Sequence, residues 1–479
     1  MIEFAITGSA VATMILKLFR RLIWLIAFAG IGFFLFSRQD SLPPATPPQA
    51  NAFDTETLQR GANLARLGNC EVCHTKPGGK PFAGGLAIPT GFGAIYSTNI
   101  TPDAETGIGM WSEAAFTRAL RQGVDRDGNH LYPAFPYDHF TLLSDRDAHA
   151  LYAYAMTRGA VKAPSRANEL SFPFNIRAGI ALWKALYFKD ARYRPDPARG
   201  EEWNRGAYLA EGISHCGACH TPRVSLGGET KSAAYDGAPV EGWYAYALNE
   251  KSPAPVPWTE QALQFYLSHG WHEHHGISRG PMAPVTMNLA TAPAADVNAI
   301  ATYIASVAGT PSEARRVRGE KLIAAAKTST ARSATADSLA NPDSAGRKAR
   351  GQGEPIYRGA CATCHESGRP LPLGGLNLAL SSALNGPNPY NVINVTLFGL
   401  PQQPGNSGPV MPGFHGSLTD EQLTALLTYL RERFSTKPPW SMLEKDIKDA
   451  RSGARPSREW PAQGSRVIAS DSSQEMGPW

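Results

Sequence analysis

Three copies of Cys-x-x-Cys-His, at Cys70–His74, Cys216–His220 and Cys361–His365, use up all six cysteines of the chain. Chance at this composition would give far fewer than one match, so buried cysteines beside unrelated histidines do not explain the pattern. A zinc site needs two more sulfur or nitrogen ligands close by. A thioredoxin-type redox pair has no use for the histidine. Covalent haem uses all three residues: Cys70 with Cys73, Cys216 with Cys219 and Cys361 with Cys364 would bond the porphyrin vinyl groups. His74, His220 and His365 would ligate the iron. No thiol then remains for a disulfide or a catalytic nucleophile.

The first cysteines are 146 and 145 residues apart, and 479 residues leave room for about three domains. High glycine (46) and proline (38) suit small helical domains whose loops wrap a cofactor that fills part of the core. The net charge of +5 is no nucleic-acid signal. Each ferric haem adds roughly one net negative charge, and no Lys/Arg run is interleaved with aromatics.

Lys17–Arg21 (KLFRR) precedes an uncharged apolar run, Leu22–Phe36. Its 15 residues fall short of the ~20 of a spanning helix, so a cleaved signal peptide competes with an anchor. The first small-x-small site, Ala50-Asn51-Ala52, lies far downstream, and the expectation is an uncleaved signal anchor over 1–40. Met14 is an alternative start. The basic end would face the cytoplasm, and the haem motifs the periplasm.

Each motif sits in a recurring frame. Helix-like RGANLARLGNC (Arg60–Cys70), RGAYLAEGISHC (Arg205–Cys216) or the shorter IYRGAC (Ile356–Cys361) precedes it. Far behind comes a segment with 3–4 apolar spacing: Leu143–Met156, Ala292–Val307 or Ser417–Phe434. Ser144 and Thr419 are natural N-caps. The expected fold is mainly α: three tandem class I cytochrome c domains over 53–162, 201–310 and 351–436, behind an N-terminal transmembrane helix. The apolar connector 163–200 reads as a helix cementing the first two domains, with docking to a partner subunit or a quinone pocket as the alternative. Residues 311–350 read as a flexible linker with at most one short helix, and 437–479 as a poorly ordered tail.

The far-side iron ligand sets the potential and decides whether the iron can bind anything else. Methionine in a proline-bounded loop is expected: Met411 in GPVMPGFHG, and Met282, preferred over Met287, in RGPMAPVTMN. The nearby cluster HGWHEHHG (His269–Gly276) reads as a solvated loop. The first domain departs from this pattern, with Phe135 where methionine would stand. His139 is the preferred ligand there, with His130 or an open iron as alternatives.

Four stretches, Ile95–Glu113, Leu131–Phe140, Glu202–Arg223 and GPMAPV, together resemble the three-haem cytochrome c subunits of membrane-bound bacterial alcohol, gluconate and aldehyde dehydrogenases. Phe135 with His139 is similar to the branch paired with molybdenum hydroxylases acting on aldehydes, isoquinoline or nicotinate. The resemblance implies three covalently bound haem c groups and an electron-transfer role in the inner membrane, with ubiquinone or a terminal oxidase as acceptor. It implies a molybdopterin-type large subunit and an iron–sulfur small subunit as partners. The alternatives are a subunit of a quinoprotein or flavin alcohol or gluconate dehydrogenase, and a haem enzyme with an open first haem.

Overall fold

A computed structural model describes residues 4–333, 351–401 and 408–454 of the chain, which is mainly helical. Around each Cys-x-x-Cys-His motif one arrangement recurs. A leading helix runs into the motif, and a closing helix far downstream crosses it. The pairs are Thr55–Leu67 with Asp145–Met156, Glu201–Tyr208 with Ala294–Ala308, and Gly353–Ala360 with Asp420–Phe434. Each motif with its helix pair forms one unit.

A glycine sits at every crossing. A Cβ on Gly61 would lie 2.0 Å from the Ala150 carbonyl oxygen, one on Gly206 1.9 Å from that of Ala299, and one on Gly353 2.1 Å from that of Ala425. A tyrosine four residues after each of these alanines (Tyr154, Tyr303, Tyr429) closes over the same glycine. Arg60 pairs with buried Asp147, and Arg205 with Asp296, beside the first two crossings. In the third unit the Arg358-Gly359 match misleads, because a Cβ on Gly359 meets nothing within 4 Å. The crossing residue is Gly353.

The glycine precedes the first motif cysteine by nine, ten and eight residues in the three units. The second unit absorbs its extra residue in a π-helical turn, Leu209–Ile213. The first two units also step through a left-handed residue just before the cysteine, Asn69 (φ 52°) and His215 (φ 38°). The third has no such step, and Cys361 follows its helix at φ −118°. The closing helices begin at the expected caps. Ser144 Oγ accepts from the Asp147 amide, and Thr419 and Gln422 form a reciprocal capping box.

The first two units share a single core, in which Leu64, Leu67 and Leu143 pack with Leu209, Ile213 and Ile300. The Tyr208 hydroxyl crosses the boundary to Asp147. The third unit has its own core around Tyr357, Ile393 and Leu423. It meets the second through the hairpin Ala238–Val240/Trp243–Ala245. There the Asn391 side-chain amide donates to the Tyr244 carbonyl (2.9 Å) and accepts from the Tyr244 amide (2.8 Å), standing in for a neighbouring strand.

Several expectations need correction. The amino-terminal helix is Phe4–Ser37, and 25 of its residues, Thr13–Ser37, are long and apolar enough to cross a membrane. At ~1.5 Å per residue this exceeds a hydrocarbon core of ~30 Å. Its exit is bonded to the first unit: His130 Nε2 donates to the Ser37 carbonyl (2.9 Å), Leu42 N to Arg126 O (2.8 Å), and Ala45 N to Met110 O (2.9 Å). In the connector only Gly179–Tyr187 is helical, and Glu169–Leu170 adds a strand to the first unit's hairpin Ala87–Thr90/Gly93–Tyr96. Trp183 packs edge-on to Tyr137 of the first unit and donates to the Leu226 carbonyl of the second (3.0 Å), as a cementing element would. Leu182 and Leu186, beside it, stay exposed.

The expected linker contains a 21-residue helix, Glu313–Ser333, whose first turns carry Arg316 paired with Glu313 and Glu320. Its alanine, lysine and arginine content favours helix where a loop was expected. Residues 334–350 lie outside the described residues. The expected disordered tail includes the helix Leu443–Ser452, whose Leu443 and Ile447 are buried in the third core. Residues 455–479 lie outside the described residues.

Gly206→Ala should lower the Tm through a loss of roughly 1–3 kcal/mol. Gly359→Ala should leave the Tm unchanged or raised; differential scanning calorimetry of both variants checks the crossing.

Candidate haem centres

Behind each motif the histidine makes the same bond. Nδ1 donates to a backbone carbonyl in the loop that follows: His74 to Thr98 (2.7 Å), His220 to Tyr246 (2.6 Å) and His365 to Leu376 (2.7 Å). This bond fixes ring orientation and tautomer and leaves Nε2, the usual iron ligand, on the other side. Burial lowers the pKa of all three, keeping the imidazoles neutral. Burial also pushes the thiols of Cys70 and Cys216 up to about 12, and those of Cys219 and Cys361 to about 11. Among the described residues no disulfide joins these cysteines. The one cluster there with ion-binding proximity, Asp138, His139 and Glu229, contains no cysteine.

The second and third motifs open into one cavity of about 850 Å³, near the top of the ~300–1,000 Å³ range of ligand pockets. Its wall carries Cys216, Cys219 and His220 together with Cys361, Cys364 and His365. Met282 and Met411 lie on the same wall. Met282 opens the helix Met282–Ala290 directly after Pro281. Met411 is held by two backbone bonds to Leu400, 2.8 and 3.0 Å. Met287 is exposed, facing away from this use. Sequence reasoning missed two members of the wall, Trp243 and His275, which are buried with Nε1 and Nδ1 lacking a hydrogen-bond partner among the described residues. Such atoms suit a polar ligand edge. For His275, placed in a loop read as solvated, stacking on Trp258 at 3.6 Å draws the ring inward.

His139 departs from the expectation of an iron ligand. Nδ1 donates to the Glu211 carbonyl (2.7 Å) and Nε2 to Glu229 Oε1 (2.7 Å), both in the second unit. The imidazole is one-twentieth exposed and clamps the two units together. Glu229 makes this pairing possible, and nothing near residue 139 in the sequence signals it. Burial opposes charge on the ring, but the Glu229 hydrogen bond and charge outweigh it and raise its pKa. Burial likewise opposes the Glu229 carboxylate, yet His139 and then Lys231 hold it at about 2. His130 is also engaged on both sides, with Nε2 on the Ser37 carbonyl and Nδ1 accepting from Lys184 Nζ (3.0 Å). Phe135 packs against Phe140, ring centroids 5.3 Å apart.

Known proteins complete the picture. The family described as cytochrome C oxidase, cbb3-type, subunit III matches residues 349–430. The fructose dehydrogenase cytochrome subunit of Gluconobacter japonicus is 34% identical over 424 residues, covering 86% of each chain. The chain belongs to the family of dehydrogenase cytochrome c subunits. These carry covalent haem c and serve electron transport. The gluconate 2-dehydrogenase cytochrome c subunit of Pantoea cypripedii is 32% identical over 419 residues, 82% of this chain and 89% of its own. A nicotinate dehydrogenase subunit of Pseudomonas putida is 44% identical over 414 residues. That match takes in 86% of this chain but spans only about a third (33%) of the relative's length.

The ion pair between the first two units has a pH signature. Glu229, depressed, contributes stability present above its unfolded value of ~4.3 and lost as pH falls toward 2. His139, raised, contributes stability fully present below ~6.5 and lost as pH rises through its folded value. The Tm difference between wild type and Glu229→Gln should therefore be largest between about pH 4.5 and 6.5 and shrink on either side. A difference independent of pH would count against the ion pair.

Proposed function

We propose that the chain is a membrane-anchored tri-haem cytochrome c subunit that carries electrons from a partner dehydrogenase to ubiquinone or the respiratory chain. In this reading the three units are tandem class I cytochrome c domains facing the periplasm. The amino-terminal helix holds them to the bacterial inner membrane. The observation that carries it is the threefold recurrence of a motif histidine whose Nδ1 is tied to a carbonyl, with a methionine on the shared cavity wall for the second and third units.

The residues divide the work simply. Cys70, Cys73, Cys216, Cys219, Cys361 and Cys364 would attach three haems, and His74, His220 and His365 would each give a nitrogen to the iron. Met282 and Met411 would supply the second iron ligand in units two and three. Haem, when bound, supplies one-electron carriage. There the motif histidine and the methionine would together hold the group and leave no place on its metal for substrate, and the largely apolar wall would disfavour water. Close packing holds the ligands at fixed positions, which suits electron transfer without bond making.

For the partner, a molybdopterin-type large subunit with an iron–sulfur small subunit is favoured by the Phe135/His139 pattern and by the name of the nicotinate dehydrogenase relative. A quinoprotein or flavin dehydrogenase is the second reading, supported by the match to fructose and gluconate dehydrogenase subunits over more than four fifths of both chains. The cofactor of the large subunit that co-purifies with the tagged chain decides between them.

Cys361→Ser with Cys364→Ser should reduce the pyridine haemochromogen count from three haems per chain to two. The purified complex should then lose most of its substrate-driven quinone reduction while keeping reduction of an artificial acceptor by the dehydrogenase subunit. An unchanged haem count would refute the assignment of the third motif.

A further inference from the structure

The connector helix Gly179–Tyr187 is apolar on two faces, and the protein covers only one of them. Inward, Ala181 and Trp183 are buried, the indole edge-on to Tyr137 and donating to the Leu226 carbonyl of the second unit (3.0 Å). Outward, Leu182 and Leu186 stand four residues apart, on one helix face, and both are exposed. A helix that is apolar all round is ordinarily enclosed by protein or by lipid. The loop before it adds Phe172, Phe174 and Ile176 to the exposed set, Phe172 at 79%. A cluster of this kind marks a surface made to be covered.

This loop is fixed to the first unit. The Phe174 carbonyl accepts from the Tyr132 hydroxyl (3.0 Å), and its ring lies 4.2 Å from that of Phe92 between centroids. Arg177 sits over the Tyr132 ring. The same stretch of the first unit grips the amino-terminal helix. His130 Nε2 donates to the Ser37 carbonyl (2.9 Å), while His130 Nδ1 accepts from Lys184 Nζ on the connector helix (3.0 Å). One imidazole thus ties the last residue of the apolar helix to the connector helix, and the two helices approach within 8 Å between Cα atoms. Phe34, Leu35 and Phe36, at the end of the apolar helix, are exposed as well. A spanning helix ends at the bilayer surface, so a patch fastened to that end lies at the same level.

The charge balance points the same way. Arg177, Lys189, Arg192 and Arg194 are exposed, and residues 171–194 contain one acid, Asp190. Apolar side chains flanked by basic ones fit the boundary between acyl chains and anionic headgroups.

We propose that the connector 171–188 is a second membrane contact, whose Phe172, Ile176, Leu182 and Leu186 enter the leaflet at which the amino-terminal helix ends. Lipid is the occupant because the patch is continuous with the exposed end of the spanning helix. The inference rests on the membrane-anchored reading above and goes beyond it: the first unit lies on the bilayer instead of standing off it.

The test places the full-length chain in nanodiscs of phosphatidylcholine and phosphatidylglycerol that include a phosphatidylcholine with a photoactivatable diazirine in its acyl chain. After illumination, mass spectrometry of the digested chain locates lipid adducts. Expected are adducts on two stretches, Thr13–Phe36 and Phe172–Tyr187. Leu182→Glu with Leu186→Glu should cut those on Gly179–Tyr187 by about tenfold and leave the amino-terminal ones in place. Adducts confined to Thr13–Phe36, or adducts on Gly179–Tyr187 undiminished in the double variant, would overturn the inference and leave the anchor intact. Loss of the connector adducts when the dehydrogenase subunit is present, with cross-links to that subunit in their place, would overturn it in favour of a protein partner. No adducts on Thr13–Phe36 would overturn the anchored reading and this inference with it.

Discussion

Backbone pressed against backbone at the helix crossings is the contact on which the rest of each unit depends. With hydrogen in place of a side chain at Gly61, Gly206 and Gly353, the leading helix approaches the closing helix to a distance no Cβ would tolerate. That approach sets where the motif begins, and therefore where its histidine meets the carbonyl that orients it. The π turn after Tyr208 illustrates the priority. An inserted residue is taken up as a local bulge in the helix, and the crossing and the cysteine stay put.

The Cys-x-x-Cys-His motifs were legible because they are fixed residue types at fixed spacing, and the caps at Ser144 and Thr419 because capping is a local rule. The structure brings the proline-bounded Met282 and Met411 to the wall that carries the second and third motifs. What escaped sequence reasoning depends on contacts between distant segments. His139 looked like a ligand because it stands in a loop where one is expected, but its role is decided by Glu229, ninety residues away. Gly353 was hidden by a better-looking Arg-Gly at 358–359, since local similarity cannot tell which glycine faces another helix. The helix Glu313–Ser333 escaped because small, polar and repetitive composition fits a linker as well as an exposed helix.

The two interfaces between units differ in kind. Units one and two share a core, the Tyr208–Asp147 contact and the His139–Glu229 pair, so they fold as one body. Unit three keeps its own core and meets unit two through polar side chains of Asn391 and Asn394 on the hairpin backbone. Yet the cavity wall runs without interruption between these two units. The second and third motifs are thus joined by polar side chains on a hairpin backbone and by the cavity wall they share.

The bonds at the exit of the amino-terminal helix turn what would be a leash into a strut. A leash lets its cargo tumble at the end of a flexible linker, and every face of the cargo meets the bilayer in turn. Here the Ser37 carbonyl is gripped by His130, and the next residues are laid along Arg126 and Met110. A rotation of the helix about its own axis must swing the first unit round with it. The azimuth of one apolar helix therefore dictates which flank of the molecule looks along the membrane and which looks away, and the shared core passes that heading on to the second unit.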